Sequence, residues 1–217
     1  YVEMTIHPAP AHHGIIFYRT DVIDANHIIP ATVDHVVPHQ LCTRIENFDG
    51  VGVNTIEHFM AAFHGMGIDN LLIEVDGPEM PILDGSSTLI TDLLTQAGLQ
   101  EQSEVKQVFV MVDDVEIDLG NGRHARLSPH DQLELNVSID FEDQLIGKQS
   151  LSYSHNKGSF RSKLADARTF CMLKDVETMR TNGLARGGSL DNAVVVHEGT
   201  ILNDEGLRSD DEFVRHK

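Results

Sequence analysis

Apolar residues at Ile56, Phe59, Met60 and Phe63 fall at i, i+3, i+4 and i+7, the spacing that gives a helix one apolar face. Asn54 or Thr55 is placed to cap this helix, and Gly65 or Gly67 to end it. Upstream, the short runs Ile15-Ile16-Phe17-Tyr18 and Ile28-Ile29 sit between Pro, Gly and Asp punctuation and predict strands. Downstream, Asn70-Leu71-Leu72-Ile73-Glu74-Val75 predicts a buried strand. After a Gly- and Pro-marked loop, Ser86 is expected to cap a second helix. Leu89, Ile90, Leu93, Leu94 and Ala97 would form its apolar face, closed by Gly98.

The pattern pauses over the polar residues 99–107 and then restarts. Val108 to Val112 predicts a strand. Val115 to Leu119 leads into Asn121-Gly122, a strong hairpin signal. Leu133, Leu135, Val137 and Ile139 alternate strictly, as on a strand with one wet face. A helix is expected around Phe160, Leu164 and Ala167, and another near Val176 to Met179. A Gly187-Gly188 loop, the strand Ala193 to Val196 and the opening turns of a helix at 210–217 complete the chain. Each half thus reads as strands first and helices after. The expected class is α+β, with two similar units, residues 1–103 and 104–217. Each would be a mostly antiparallel sheet packed on helices, the two layered with a site between them.

Charge narrows the function. With 34 acids against 16 bases the formal net charge is −18, which leaves no basic footprint for nucleic acid. An anionic ligand would need a local cationic pocket inside a repulsive field. Two cysteines, Cys42 and Cys171, are too few for a disulfide framework or a Cys-rich zinc module and read as reduced, packed thiols. No apolar run approaches the length of a membrane span, and no signal peptide is visible at the start. A cytoplasmic, monomeric protein is the default expectation.

The chemistry starts at Glu57 and His58. They stand side by side in the first turn of the first predicted helix, where a free N-terminus favours negative charge. A carboxylate and an imidazole so placed can divide the labour, one moving a proton and the other holding a metal. Standard alternatives fail. His-Glu-x-x-His is absent, and its inverted form would need His where Asn54 stands. There is no Gly-x-Ser-x-Gly, no P-loop and no Gly-x-Gly-x-x-Gly. His12, His13, His35 and His39 lie in polar, loop-like contexts and read as surface residues. His64 lies six residues beyond His58, on a different face of the helix.

Several segments together carry a resemblance. They are Thr55-Ile56-Glu57-His58; Gly67-Ile68-Asp69-Asn70 with Pro81-Ile82-Leu83-Asp84-Gly85-Ser86; Arg168-Thr169-Phe170; Gly187-Gly188-Ser189-Leu190-Asp191-Asn192-Ala193; and Leu202 to Arg208 with Asp211 to Lys217. In this order they resemble the UDP-3-O-acyl-N-acetylglucosamine deacetylases, zinc enzymes that commit Gram-negative bacteria to lipid A synthesis. The resemblance runs over essentially the whole chain.

It implies that Glu57 is the general base and Thr169 a hydrogen-bond donor to the oxyanion. It implies that His58 and His216 are zinc ligands, with ferrous iron a substitute in the cell. Phe170 would lie in an acyl-chain passage formed by residues 171–201, with Val176, Met179, Leu184 and Val195 as its apolar material. Asp175 and Lys217 would lie near the sugar and UDP. The family's third ligand, an Asp four residues beyond the second His, and its catalytic His would both fall after Lys217. The expected partner is a small UDP-acyl-sugar. A fold-retaining chain that binds substrate without turnover is the alternative, and this chain alone is expected to hold zinc poorly.

Overall fold

The computed structural model describes residues 1–181 and 187–217, the side chains of Glu177 and Met179 excepted. The class is α+β, and most strand pairs are antiparallel. In the first half, β1 (Met4–Pro8), β2 (Ile15–Arg19) and β3 (Ile28–Pro30) are followed by β4 (Val36–Val37), β5 (Arg44–Glu46) and β6 (Gly52–Asn54). Then come α1 (Glu57–Met66), β7 (Leu71–Val75) and α2 (Thr88–Ala97). The main sheet runs β1-β7-β2-β3, with β7 antiparallel to β1 and parallel to β2; β4, β5 and β6 form a second, smaller sheet. Alternation in β7 puts Leu71, Ile73 and Val75 into the core, where Phe17, Ile29, Phe59 and Phe63 are fully buried.

The second half starts with the hairpin of β8 (Val115–Gly120) and β9 (Arg123–Leu127), then β10 (Glu134–Asp140) paired antiparallel with β11 (Lys148–Ser154). Asn121 and Gly122 both have positive φ, as the expected two-residue turn requires. The short helix α3 (Ser159–Lys163) leads to β12 (Phe170–Met172), α4 (Leu173–Thr181), β13 (Val194–His197), β14 (Thr200–Ile201) and α5 (Glu212–His216). β12 and β13 are parallel. A second core gathers Ile146, Val194, Val196 and Phe213. Phe160 and Ala165 belong instead to the first core, so the halves share apolar packing. Among the described residues no helix is long and apolar enough to cross a membrane.

Local expectations needed correction where a side chain found another partner. α1 has no side-chain cap. The Asn54 amide oxygen accepts from Arg44 (2.8 Å), and the Thr55 hydroxyl donates to Glu79 (3.1 Å). In α2 the buried residues are Ile90, Thr91 and Leu94, while Leu89 and Leu93 are exposed. Ser87 occupies the cap position; Ser86 serves from one residue earlier, its Oγ accepting from the Thr88 N–H (3.2 Å). Val108 to Val112 is not a strand: among the described residues no neighbouring strand pairs with it, and an apolar run alone does not make a sheet.

Candidate active site

Glu57 and His58 open α1, as the spacing predicts. Thr55 has φ +61°, so the chain turns sharply from β6 into the helix. Glu57 Oε2 accepts the Thr43 backbone N–H at 2.9 Å, which fixes the carboxylate's direction. His58 is buried, and its carbonyl accepts the Ser87 hydroxyl at 3.0 Å, tying α1 to the start of α2.

The second half reaches this corner through Thr169. Its N–H donates to the Gly85 carbonyl at 2.7 Å, and its own carbonyl accepts from the Val194 N–H at 2.7 Å. Gly85 has φ +78°, and any Cβ there would run into the carbonyl of Asn192, so only glycine fits. Thus fixed, Thr169 Oγ1 stands 3.2 Å from His58 Nε2. His216, on α5, sets its ring edge-on to His58 with centroids 5.4 Å apart; its Nδ1 lies 3.3 Å from the Ala167 carbonyl. Burial lowers the pKa of both rings. For His216, helped by the neighbouring His58, it reaches about 4. Both are therefore neutral near pH 7, with lone pairs to offer.

Phe170 packs at the same corner, edge-on to Phe213 (5.0 Å) and near the His216 ring (6.1 Å). The Lys217 ammonium lies 5.1 Å from the Phe170 ring centre, a cation–π contact. Asp175 is exposed on α4, where its charge adds to burial in raising the pKa of Cys171, the neighbour of Phe170. Val195 is buried and Val176 half-buried; Leu184 and the side chain of Met179 lie outside the described residues. A cavity of about 480 Å³ opens beside Glu57, His58 and His216. Its apolar lining includes Leu135 and Val137 of β10, Leu151 of β11 and Leu133 just before β10.

Sequence reasoning missed what holds the corner together. Arg168 and Glu212, 2% and 1% exposed, form a buried ion pair: Arg168 Nε donates to Glu212 Oε1 at 2.8 Å. Glu212 also accepts the backbone N–H groups of Arg168 (3.0 Å) and Arg208 (2.7 Å). Arg208 reaches Asp84 Oδ2 at 2.9 Å. The only local signal was an Arg immediately before Thr169 and a Glu four residues before His216, and neither position reveals its partner.

Residues 1–217 match the family model LpxC, UDP-3-O-acyl N-acetylglycosamine deacetylase. The chain belongs to this family. A UDP-3-O-acyl-N-acetylglucosamine deacetylase of Myxococcus xanthus is 46% identical over all of this chain and 68% of its own length. That of Idiomarina loihiensis is 46% identical over 71% of its length, and that of Phenylobacterium zucineum 45% over 74%. The deacetylase resemblance read from the motifs is therefore shown, and the family is one of hydrolases.

Proposed function

We propose that this protein removes the N-acetyl group of UDP-3-O-acyl-N-acetylglucosamine with the help of a zinc ion held by His58 and His216. The observation that carries the reading is the meeting of these two buried, neutral rings, 5.4 Å apart, beside Thr169 and next to Glu57. The donors suit such an ion. His58 Nε2 has Thr169 as a neighbour, while its Nδ1 is buried with no hydrogen-bond partner among the described residues. Imidazole suits zinc and also ferrous iron.

Bound zinc supplies the positive charge that acidifies water and polarises an amide carbonyl. The protein's residues do the rest. Glu57, oriented by Thr43, takes the proton of the attacking water; the C–N bond then breaks as the departing nitrogen takes up a proton, giving acetate and the free amine. The Thr169 hydroxyl donates to the carbonyl oxygen as it gains charge. Lys217, beside Phe170, offers a cation to an anionic substrate within an acidic protein. The reading includes a cytoplasmic site of action in a Gram-negative bacterium, at the committed step of lipid A synthesis, by a monomer. It also retains the division at residues 103 and 104, with one core cluster lying wholly beyond it and the other crossing it only through Phe160, Leu164 and Ala165.

In a full-length version of the protein, Glu57→Ala is expected to cut turnover by ~10²–10⁴-fold while zinc content stays near wild type, because Glu57 moves protons and does not ligate. His58→Ala should lose both. Zinc lost in parallel with turnover in Glu57→Ala would defeat the division of roles. Residues 171–201 are assigned to the acyl chain because β12 and α4 lead straight on from Thr169 and Phe170. Val176→Glu should then raise KM for a long-chain substrate more than for a short-chain analogue; equal effects would make Val176 ordinary packing. A binding-only chain is the second reading, favoured by the absence of a group of three metal donors among the described residues. Substrate binding without turnover would establish it.

A further inference from the structure

The cavity beside His58 has a second pair of imidazoles in its wall, His64 and His155, with ring centroids 5.4 Å apart and planes 40° to one another. The two come from different halves of the chain. What brings them together is a close contact of α1 with α3. Gly65 sits against the Phe160 ring so tightly that a Cβ would collide with it, and its neighbour His64 is carried up to the end of β11. Centroid spacing of this size suits a shared ion. Metal–nitrogen bonds of about 2.0–2.1 Å, opened at a tetrahedral angle, put two imidazole centres roughly 5 Å apart.

The hydrogen bonds around His155 accommodate the tautomer a ligand needs. Ser159 Oγ lies 2.7 Å from the Asn156 carbonyl and accepts the Asn156 N–H (2.9 Å). With its proton on that carbonyl, Ser159 Oγ accepts from the Tyr153 hydroxyl at 2.7 Å, and Tyr153 can accept from His155 Nδ1 at 3.0 Å. In that arrangement the His155 proton is on Nδ1 and Nε2 offers its lone pair. An imidazole whose second nitrogen donates to a fixed acceptor is the usual supporting arrangement of a metal-binding histidine. The His64 ring makes no hydrogen bond among the described residues. Its pKa is lowered by burial, by His155 and by Lys106 against the pull of Asp69, which keeps a lone pair available.

We propose that His64 and His155 form a two-imidazole site for a late divalent transition-metal ion, of the Zn²⁺ or Cu²⁺ class, that clamps the end of α1 to the end of β11. No third His, Cys, Asp or Glu joins them among the described residues, so water fills the remaining positions and the site is open. It does not depend on an ion at His58 and His216.

The test uses Cu²⁺ followed by electron paramagnetic resonance, and Zn²⁺ in competition with a chromophoric chelator. Both are run on the His58→Ala/His216→Ala protein, which lacks the other pair. One equivalent should bind, loosely for Zn²⁺ as two protein ligands imply, with two nitrogen ligands resolved for Cu²⁺. His64→Gln, at an exposed position, should weaken it at least ~10-fold and leave one nitrogen, as should His155→Gln. Tyr153→Phe should weaken it ~10-fold with both nitrogens kept. Zn²⁺ should raise the melting temperature in this background but not with His64→Gln added. An equivalent whose affinity and nitrogen count survive His64→Gln or His155→Gln would overturn the site. Should the double variant not fold, the same substitutions in the otherwise unchanged protein must remove one bound equivalent, and its retention would again overturn the site.

Discussion

Gly85 shows how much of the site rests on single atoms. The Thr169 N–H reaches its carbonyl, its φ of +78° suits glycine, and the Asn192 carbonyl occupies the space a side chain would need. Gly85→Ala would adopt a left-handed conformation at a cost of about 1–2 kcal/mol before the clash is counted. The clash is with backbone, which cannot swing aside as a side chain can. Lower melting temperature and weaker turnover are therefore expected together, since the segment at Asn192 that must give way leads into Val194, whose N–H holds the Thr169 carbonyl. A variant with wild-type melting temperature and turnover would show that the Gly85 contact does not set Thr169. The histidines illustrate the same scale differently. Thirteen are present, and their surroundings alone decide which can act. His58 and His216 are buried and neutral, whereas the His39 ring lies exposed near Cys42.

Among elements, the buried pair of Arg168 and Glu212 joins the approach to β12 to the start of α5. It thereby sets Thr169 against His216. Burial by itself would raise the pKa of Glu212. Hydrogen bonds from the Arg168 side chain and from the backbone of Arg168 and Arg208 outweigh it and hold the carboxyl below its ordinary range. A pKa depressed by folding contributes stability that is complete above the unfolded value, about 4.3 for Glu. That contribution disappears as the pH falls through the folded value. Urea unfolding between pH 7 and pH 3 should show this acid loss. Glu212→Gln should flatten it while lowering stability near pH 7 by up to about 3–5 kcal/mol, because buried Arg168 loses its buried partner and keeps only the exposed Glu205 as counter-charge. For a chain of this size that is a drop in melting temperature of roughly 10 °C. An unchanged acid limb in Glu212→Gln would assign the acid sensitivity to other carboxylates, with Asp84 beside Arg208 the first to examine.

Over the whole molecule, the legible features were those with a local period or a local turn. α1, β7, the Asn121-Gly122 hairpin and the alternation of β10 could be read because 3.6- and 2-residue spacings are written in neighbouring positions. The pairings that build the site span far greater separations: Gly85 with Thr169, Asp84 with Arg208, His58 with His216. No periodicity encodes them: His58 stood out beside Glu57 at a helix start, but its pairing with His216 came into view only through the motif resemblance. The run at Val108 to Val112 failed as a strand for the related reason that strand formation depends on a partner elsewhere. Donor count, by contrast, can be judged on the assembled molecule. Protein zinc sites ordinarily use at least three protein ligands. Here His58 and His216 converge, and among the described residues no further His, Cys, Asp or Glu makes a group of three with them. The 217-residue chain is therefore expected to hold zinc at this pair loosely, releasing it on dialysis against a chelator, with little turnover. The measurement belongs in a His64→Gln background, so that the second imidazole pair does not contribute. His58→Ala should then abolish what zinc remains. Tight, stoichiometric zinc that depends on both His58 and His216 would mean that a further group in the chain completes the shell, and the two-donor description of this corner would have to be abandoned.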